Sequence, residues 1–234
     1  MQNCFVGVAG LQKSSFIDFP GHIATALFMR GCNLRCPYCH NPSIVLAKNE
    51  DDISPFVVEK ILEERKNMIE AVVISGGEPT IHANLPQMAS AIRRMGYKVK
   101  LDTNGLLPTM IDEVAPDYLA LDIKTDPTRY SQKLGARGEF IQRNLLESIE
   151  RVREKKENGE IRVTIAPGIV DDDAIRWIAQ NVRGVAKVFL QEFKDSGDLL
   201  DKQFSVDVGI GDEIVGEYRK LIGEGVGKCS VRGE

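Results

Sequence analysis

Four short apolar segments run directly into clusters of polar residues and glycine. Ala24–Arg30 leads into Gly31–Asn41, and Ala71–Ser75 into Ser75–Pro79. Lys98–Leu101 leads into Asp102–Gly105, and Tyr118–Ile123 into Asp122–Lys124. Apolar runs of this length between turn signals read as strands buried on both faces, as in a parallel sheet. Stretches of helical period separate them: Pro55–Met68, Leu85–Met95 and a short helix after Pro108. Ser54 and Pro55 suit the N-cap and first position of the first helix.

The alternation continues. Phe140–Lys156 is a charged amphipathic helix closed by Asn158-Gly159, and Ile161–Ala166 is a strand stopped by Pro167-Gly168. Asp171–Asp173 opens a helix holding Trp177, with the acidic start that the helix dipole favours. Lys187–Glu192 is the last clear strand and Asp212–Ile222 a final helix. Phe5–Gly10 is placed as an antiparallel partner of Ala24–Arg30, and the irregular Lys194–Gly211 as a loop over the site. About six βα units imply an α/β fold with a parallel sheet, in which ligands sit at the carboxyl ends of the strands. The cysteines, glycines and carboxylates named above are therefore expected on one rim.

The 234 residues suit one domain with a sizeable core. The net charge of −4 gives no electrostatic signature of a nucleic-acid binder. The apolar runs are too short to span a bilayer, and Met1–Gly10 lacks the basic and apolar regions of a secretory signal, so a cytoplasmic protein with no membrane partner is expected.

Of five cysteines, three lie in Cys32-Asn-Leu-Arg-Cys36-Pro-Tyr-Cys39. In a reducing compartment, such crowding reads as metal or redox chemistry. Three thiolates on one tight loop can hold three irons of a four-iron cluster and leave the fourth open to substrate. Three rivals use the same residues. Cys36 and Cys39 alone resemble a redox dithiol. With His40 they fit the covalent haem pattern. Cys32, Cys36, Cys39 and His40 together could form a zinc site, which asks adjacent residues to bind one ion. Cys4 and Cys229 read as small buried hydrophobes.

These stretches, together with Gly10–Gly21, resemble the radical S-adenosylmethionine (SAM) superfamily. More narrowly they resemble the activating enzymes of glycyl radical enzymes, of the anaerobic ribonucleoside-triphosphate reductase and pyruvate formate-lyase kinds. The likeness covers about the first half of the chain and continues weakly through Pro167-Gly168 and Leu190-Gln191. It implies a partial (β/α)6 TIM-like barrel: one domain over residues 1–234, with a core of about 22–193 and an extension of 194–234. Cys32, Cys36 and Cys39 would ligate a [4Fe–4S] cluster whose open iron is chelated by SAM. Gly76, Gly77, Glu78 and Pro79 would meet the SAM amino group, and Tyr38 would pack near the adenine. Asp102, Thr103 and Asp122 would hold a monovalent cation, with Asn104 in the same segment. Lys124 would face the SAM carboxylate, and Arg162, Thr164 and Gln191 the ribose or adenine.

Taken singly, each rim residue also has a plain reading. Gly76-Gly77 could be a turn, Asp102 and Asp122 helix caps, and Lys124 a solvated charge; their joint occurrence beside the cysteine loop favours the site. His22 and His82 read as structural. Gly223–Lys228 lacks the spacing and preceding strand of a phosphate loop. The activity implied is reductive cleavage of SAM to a 5′-deoxyadenosyl radical. A glycyl radical enzyme would be the protein substrate, and flavodoxin or ferredoxin the electron donor. The alternatives are a radical enzyme acting on a small molecule or another peptide, and a zinc- or cluster-binding interaction module.

Overall fold

The structure is a computed structural model describing residues 4–195, 197–204 and 210–232. In chain order its strands are β1 (Val8–Ser15), β2 (Ala24–Met29), β3 (Ala71–Gly76), β4 (Lys98–Thr103), β5 (Tyr118–Asp122), β6 (Gly159–Ile165), β7 (Lys187–Glu192) and β8 (Lys228–Val231). The helices are α1 (Pro42–Val45), α2 (Pro55–Glu64), α3 (Leu85–Arg94), α4 (Pro108–Val114), α5 (Tyr130–Leu134), α6 (Ile141–Lys155), α7 (Asp172–Asn181) and α8 (Asp212–Gly223). Sheet order follows chain order from β1 to β8. Each of β2 to β7 is followed by at least one helix, which gives the six expected βα units and the α/β class of a partial barrel.

Contacts divide the chain into two compact units. The first comprises Met1–Asn33, Ser43–Thr103 and Thr109–Leu119. Here β2, β3 and β4 are parallel and in step: Ala24 pairs with Ala71 and Ala71 with Lys98, through to Met29 opposite Gly76 and Ile74 opposite Leu101. Leu27, Met29, Val72, Ile74, Val99 and Leu101 are fully buried. That is why these strands read as unbroken apolar runs rather than alternating ones. The helices cover them with Val58 and Leu62 of α2 and with Leu85, Met88 and Ile92 of α3.

The antiparallel strand was expected at Phe5–Gly10. It forms at Val8–Ser15 instead, because Gly7 turns at φ +93° and the chain becomes extended only afterwards. Val8 faces Met29 and Ser15 faces Ala24, with irregularities between them. Helix α2 stops at Glu64, short of the expected Met68.

The second unit comprises Leu34–Pro42, Asn104–Pro108 and Ala120–Glu234. Strands β6, β7 and β8 are parallel, with Ile161 opposite Val188 and Val188 opposite Cys229. On α6, Leu145, Ser148, Ile149 and Val152 form the buried stripe at helical spacing. Helix α7 has the expected acidic start, and the Asp171 carboxylate accepts the Ala174 N–H at 3.1 Å as an N-cap. Two expectations need correction. Gly159 opens β6 rather than closing α6, and the chain has a further strand, β8, beyond Lys187–Glu192. The rejected Gly223–Lys228 segment is the turn from α8 into β8.

Candidate functional site

In the first unit, the carboxyl ends of β2, β3 and β4 carry Cys32, Gly76–Pro79 and Asp102–Thr103. The two glycines have a steric cause. Gly76 sits at φ +108°, and a Cβ on it would lie 2.4 Å from the Met29 nitrogen. A Cβ on Gly77 would come within 1.8 Å of the Gly31 carbonyl oxygen. Gly77 N–H donates to Met29 O at 2.8 Å and Glu78 N–H to Gly31 O at 2.9 Å. The glycine pair thus lets the tip of β3 close on the backbone just before Cys32.

Glu78 is buried, and one carboxylate oxygen accepts three hydrogen bonds: from Thr80 N–H (3.0 Å), Thr80 Oγ1 (2.6 Å) and Thr103 Oγ1 (2.8 Å). The expected cofactor contact at Glu78 and the expected cation ligand Thr103 are therefore tied to each other. On Asp102, Oδ2 accepts from Ser75 Oγ at 3.1 Å, and Oδ1 lies 3.1 Å from the Lys100 ammonium.

In the second unit, Cys36, Tyr38 and Cys39 neighbour the ends of β5 and β6. Arg162 grips Asp122 with both prongs of its guanidinium, Nε to Oδ1 at 2.7 Å and Nη2 to Oδ2 at 3.1 Å. Lys124 Nζ lies 3.4 Å from the same carboxylate. Burial alone would raise the Asp122 carboxyl, but Arg162 and then Lys124 override it and hold it well below the usual carboxylate range. Burial opposes charge on Lys124, and Asp122 more than restores it. Two cations on one carboxylate leave a net positive charge beside the cysteines.

Burial pushes the Cys36 thiol up to about 11, with Lys124 pulling the other way. Tyr38 is buried, its hydroxyl has no hydrogen-bond partner among the described residues, and desolvation raises its pKa well above the ordinary phenol. Tyr130 Oη accepts the Lys124 backbone N–H at 2.9 Å and anchors the end of β5. Gly105 turns at φ +75° with its carbonyl held by Ser148 Oγ at 2.7 Å, and the Asn104 side chain accepts the Leu106 N–H. Thr164 and Gln191 are register partners at the ends of β6 and β7. Thr164 shares a face with Arg162, since strand side chains alternate.

The described part of the chain after β7 contacts the cysteine segment; of the Lys194–Gly211 stretch expected to be a loop over the site, residues 196 and 205–209 lie outside the described residues. Leu200 N–H donates to Cys39 O at 3.0 Å and Asp201 N–H to Pro37 O at 3.1 Å. Phe193 and Phe204 pack on the Tyr38 ring, and His40 stacks flat on Phe193 with Nε2 at 2.8 Å from Lys194 O. Sequence reasoning missed Phe193, Phe204, Tyr130 and Lys100, and had Ser75 only as the first residue of the Ser75–Pro79 stretch. Only Lys100 left a signal: alternation puts it on the same face of β4 as Asp102, an unusual place for a lysine.

All five cysteines are free thiols and partly buried. Among the described residues no three His, Cys, Asp or Glu side chains converge tightly enough to hold one metal ion. His40 Nε2 is engaged at the Lys194 carbonyl oxygen, 2.8 Å away. A cluster spreads its thiolates over separate irons, and in the second unit the Cys36 and Cys39 thiols, with Lys124 acting on Cys36, have the chemistry of such donors. Among the described residues no helix is long and apolar enough to cross a membrane.

The element order and sheet define the class by fold, an α/β partial barrel in which cysteines, glycines and charged residues follow the strands. The chain belongs to the radical SAM superfamily, whose profile matches residues 27–180. It is 32% identical over 205 residues to a protein of Methanocaldococcus jannaschii provisionally named a glycyl-radical enzyme activating enzyme, covering 84% of this chain and 83% of that one. It is 27% identical over 217 residues to the pyruvate formate-lyase-activating enzyme of Clostridium pasteurianum (88% and 89% covered). To the 7-carboxy-7-deazaguanine synthase of Thermococcus kodakarensis it is 26% identical over 193 residues (70% and 73% covered). A solved structure of TYW1 with a lysine-pyruvate adduct shares the fold, with a TM-score of 0.64, 18% identity, and 87% of this chain and 74% of that one covered.

Proposed function

We propose that this protein is a glycyl-radical-enzyme activating enzyme, which removes a hydrogen atom from a backbone glycine of a partner protein. The observation that carries this reading is similarity to the M. jannaschii relative at 32% identity over 84% of this chain and 83% of that one. When bound, a [4Fe–4S] cluster and SAM supply a carbon radical by reductive cleavage of the sulfonium. The chain's own residues bind, orient and shield.

Cys32, Cys36 and Cys39 would each donate a thiolate. With the Cys36 thiol at about 11, the site favours protonated sulfur until iron displaces the proton. The net positive Asp122–Lys124–Arg162 group would attract the SAM carboxylate, with Asp122 keeping both cations fixed. The buried Tyr38 hydroxyl would find its hydrogen bond in a bound ligand, because an unpaired buried hydroxyl is costly. Gly76–Pro79 would present backbone to the amino group. The electron donor would be a flavodoxin or ferredoxin.

The matched 7-carboxy-7-deazaguanine synthase favours a second reading, a small-molecule enzyme of that kind. Anaerobic reconstitution with iron, sulfide, SAM and dithionite separates the two. The proposal expects 5′-deoxyadenosine to form, and a glycyl electron paramagnetic resonance signal on an added glycyl radical protein. With the small-molecule precursor of such a synthase also added, formation of 7-carboxy-7-deazaguanine without that signal would establish the second reading instead. Cys36→Ala should abolish cluster and turnover together.

A further inference from the structure

Lys100 carries the inference furthest. It is 2% exposed, although lysine is almost never buried without a partner. Several groups hold its ammonium. Asp102 Oδ1 is at 3.1 Å, the Asp18 carbonyl oxygen accepts at 2.5 Å, and the Tyr118 ring centroid lies 5.6 Å away. The other Asp102 oxygen accepts from Ser75. Asp102, which the family resemblance marks as a cation ligand, thus already has a cation covalently part of the chain. Of the other two expected cation ligands, Thr103 commits its hydroxyl hydrogen to Glu78. Asp122 is held by Arg162 and Lys124. At Asp102 the negative charge is spent on a fixed cation, which pairs with Oδ1 by charge and not by a hydrogen bond.

We infer that the Lys100 ammonium occupies the charge position of a monovalent cation at Asp102, so that this protein binds its cofactor without sodium or potassium. A mobile cation seated on Asp102 would lie a few ångströms from the ammonium. Like charges at that spacing near a protein surface weaken occupancy by roughly a thousand-fold. Lys100 is then a positioning residue: it fixes the carboxylate and, through the Asp18 carbonyl, the loop after β1. The inference rests on the proposed reading of the site as one that binds SAM.

The test compares potassium, sodium and choline buffers at equal ionic strength. Reconstituted wild-type protein should bind SAM with the same affinity in all three, within two-fold. Lys100→Ala should lose at least ten-fold in choline and recover in potassium, a dependence that loss of a merely structural lysine would not create. Sodium-23 line broadening by the apo-protein provides a readout independent of SAM: none for wild type beyond a nonspecific control, and saturable broadening for Lys100→Ala, or for Lys100→Met if the alanine variant does not fold. A ten-fold gain in wild-type affinity with potassium, or saturable sodium binding by the wild-type apo-protein, would overturn the inference. Failure of wild-type protein to bind SAM in any salt would refute the functional reading, while the sodium measurement would still decide the role of Lys100.

Discussion

Asp122 shows how one side chain can be legible as chemistry and illegible as environment. A carboxylate at a strand end was evident from Tyr118–Lys124 alone. That Arg162, 40 residues on, would grip it was not, because the partner comes from a different strand. The pairing has a pH signature. A depressed carboxyl contributes stability that is present above its unfolded value of roughly 3.9 and is lost as pH falls toward the folded value. Arg162→Met should therefore destabilise the apo-protein clearly at pH 7. By about pH 2.5 the gap from wild type should narrow, as the carboxyl takes up its proton. Urea denaturation at the two pH values reads this, and a gap of equal size at both would show that Asp122 is not the group responsible.

Among elements, those with strong local chemistry matched their reading. The acidic start of α7 is an example: Asp171 caps it, and Arg129 crosses from the turn before α5 to pair with Asp171 and Asp173. Asp171→Ala should cost about 1–2 kcal/mol in chemical denaturation, and Asp171→Ser, which keeps a capping oxygen, should recover most of it. An alanine variant as stable as wild type would remove the cap from the account. Elements set by their neighbours were misplaced or missed. Strand β1 begins where Gly7 ends its turn and β2 offers an edge, which no local pattern records. Strand β8, with only Lys228–Val231, is too short and polar to announce itself and exists because β7 has a free edge.

For the whole molecule, the six βα units were readable because strands buried on both faces leave continuous apolar runs, and the rim residues were readable because they follow those runs. The packing of Phe193 and Phe204 on Tyr38 was not legible, since these aromatic partners are distant in sequence. The last strand matters at this scale too. It covers the edge of β7 and brings Arg232 to Glu160, a carboxylate that is only 1% exposed. Ending the chain after Gly223 should uncover that edge and take Arg232 away from the buried Glu160 carboxylate, giving a lower thermal midpoint and concentration-dependent aggregation in sedimentation. A truncated chain that stays monodisperse with an unchanged midpoint would show that β8 is dispensable.

The contact between Gly77 and the Gly31 carbonyl has a consequence for anyone who would borrow this chemistry. The tripled thiol signature is not portable by itself: its leading residue emerges from a backbone that only a side-chain-free neighbour on the next strand can approach. A transplant into another scaffold would need to carry both strand tips as a unit, or the first sulfur would arrive on an unsupported hinge.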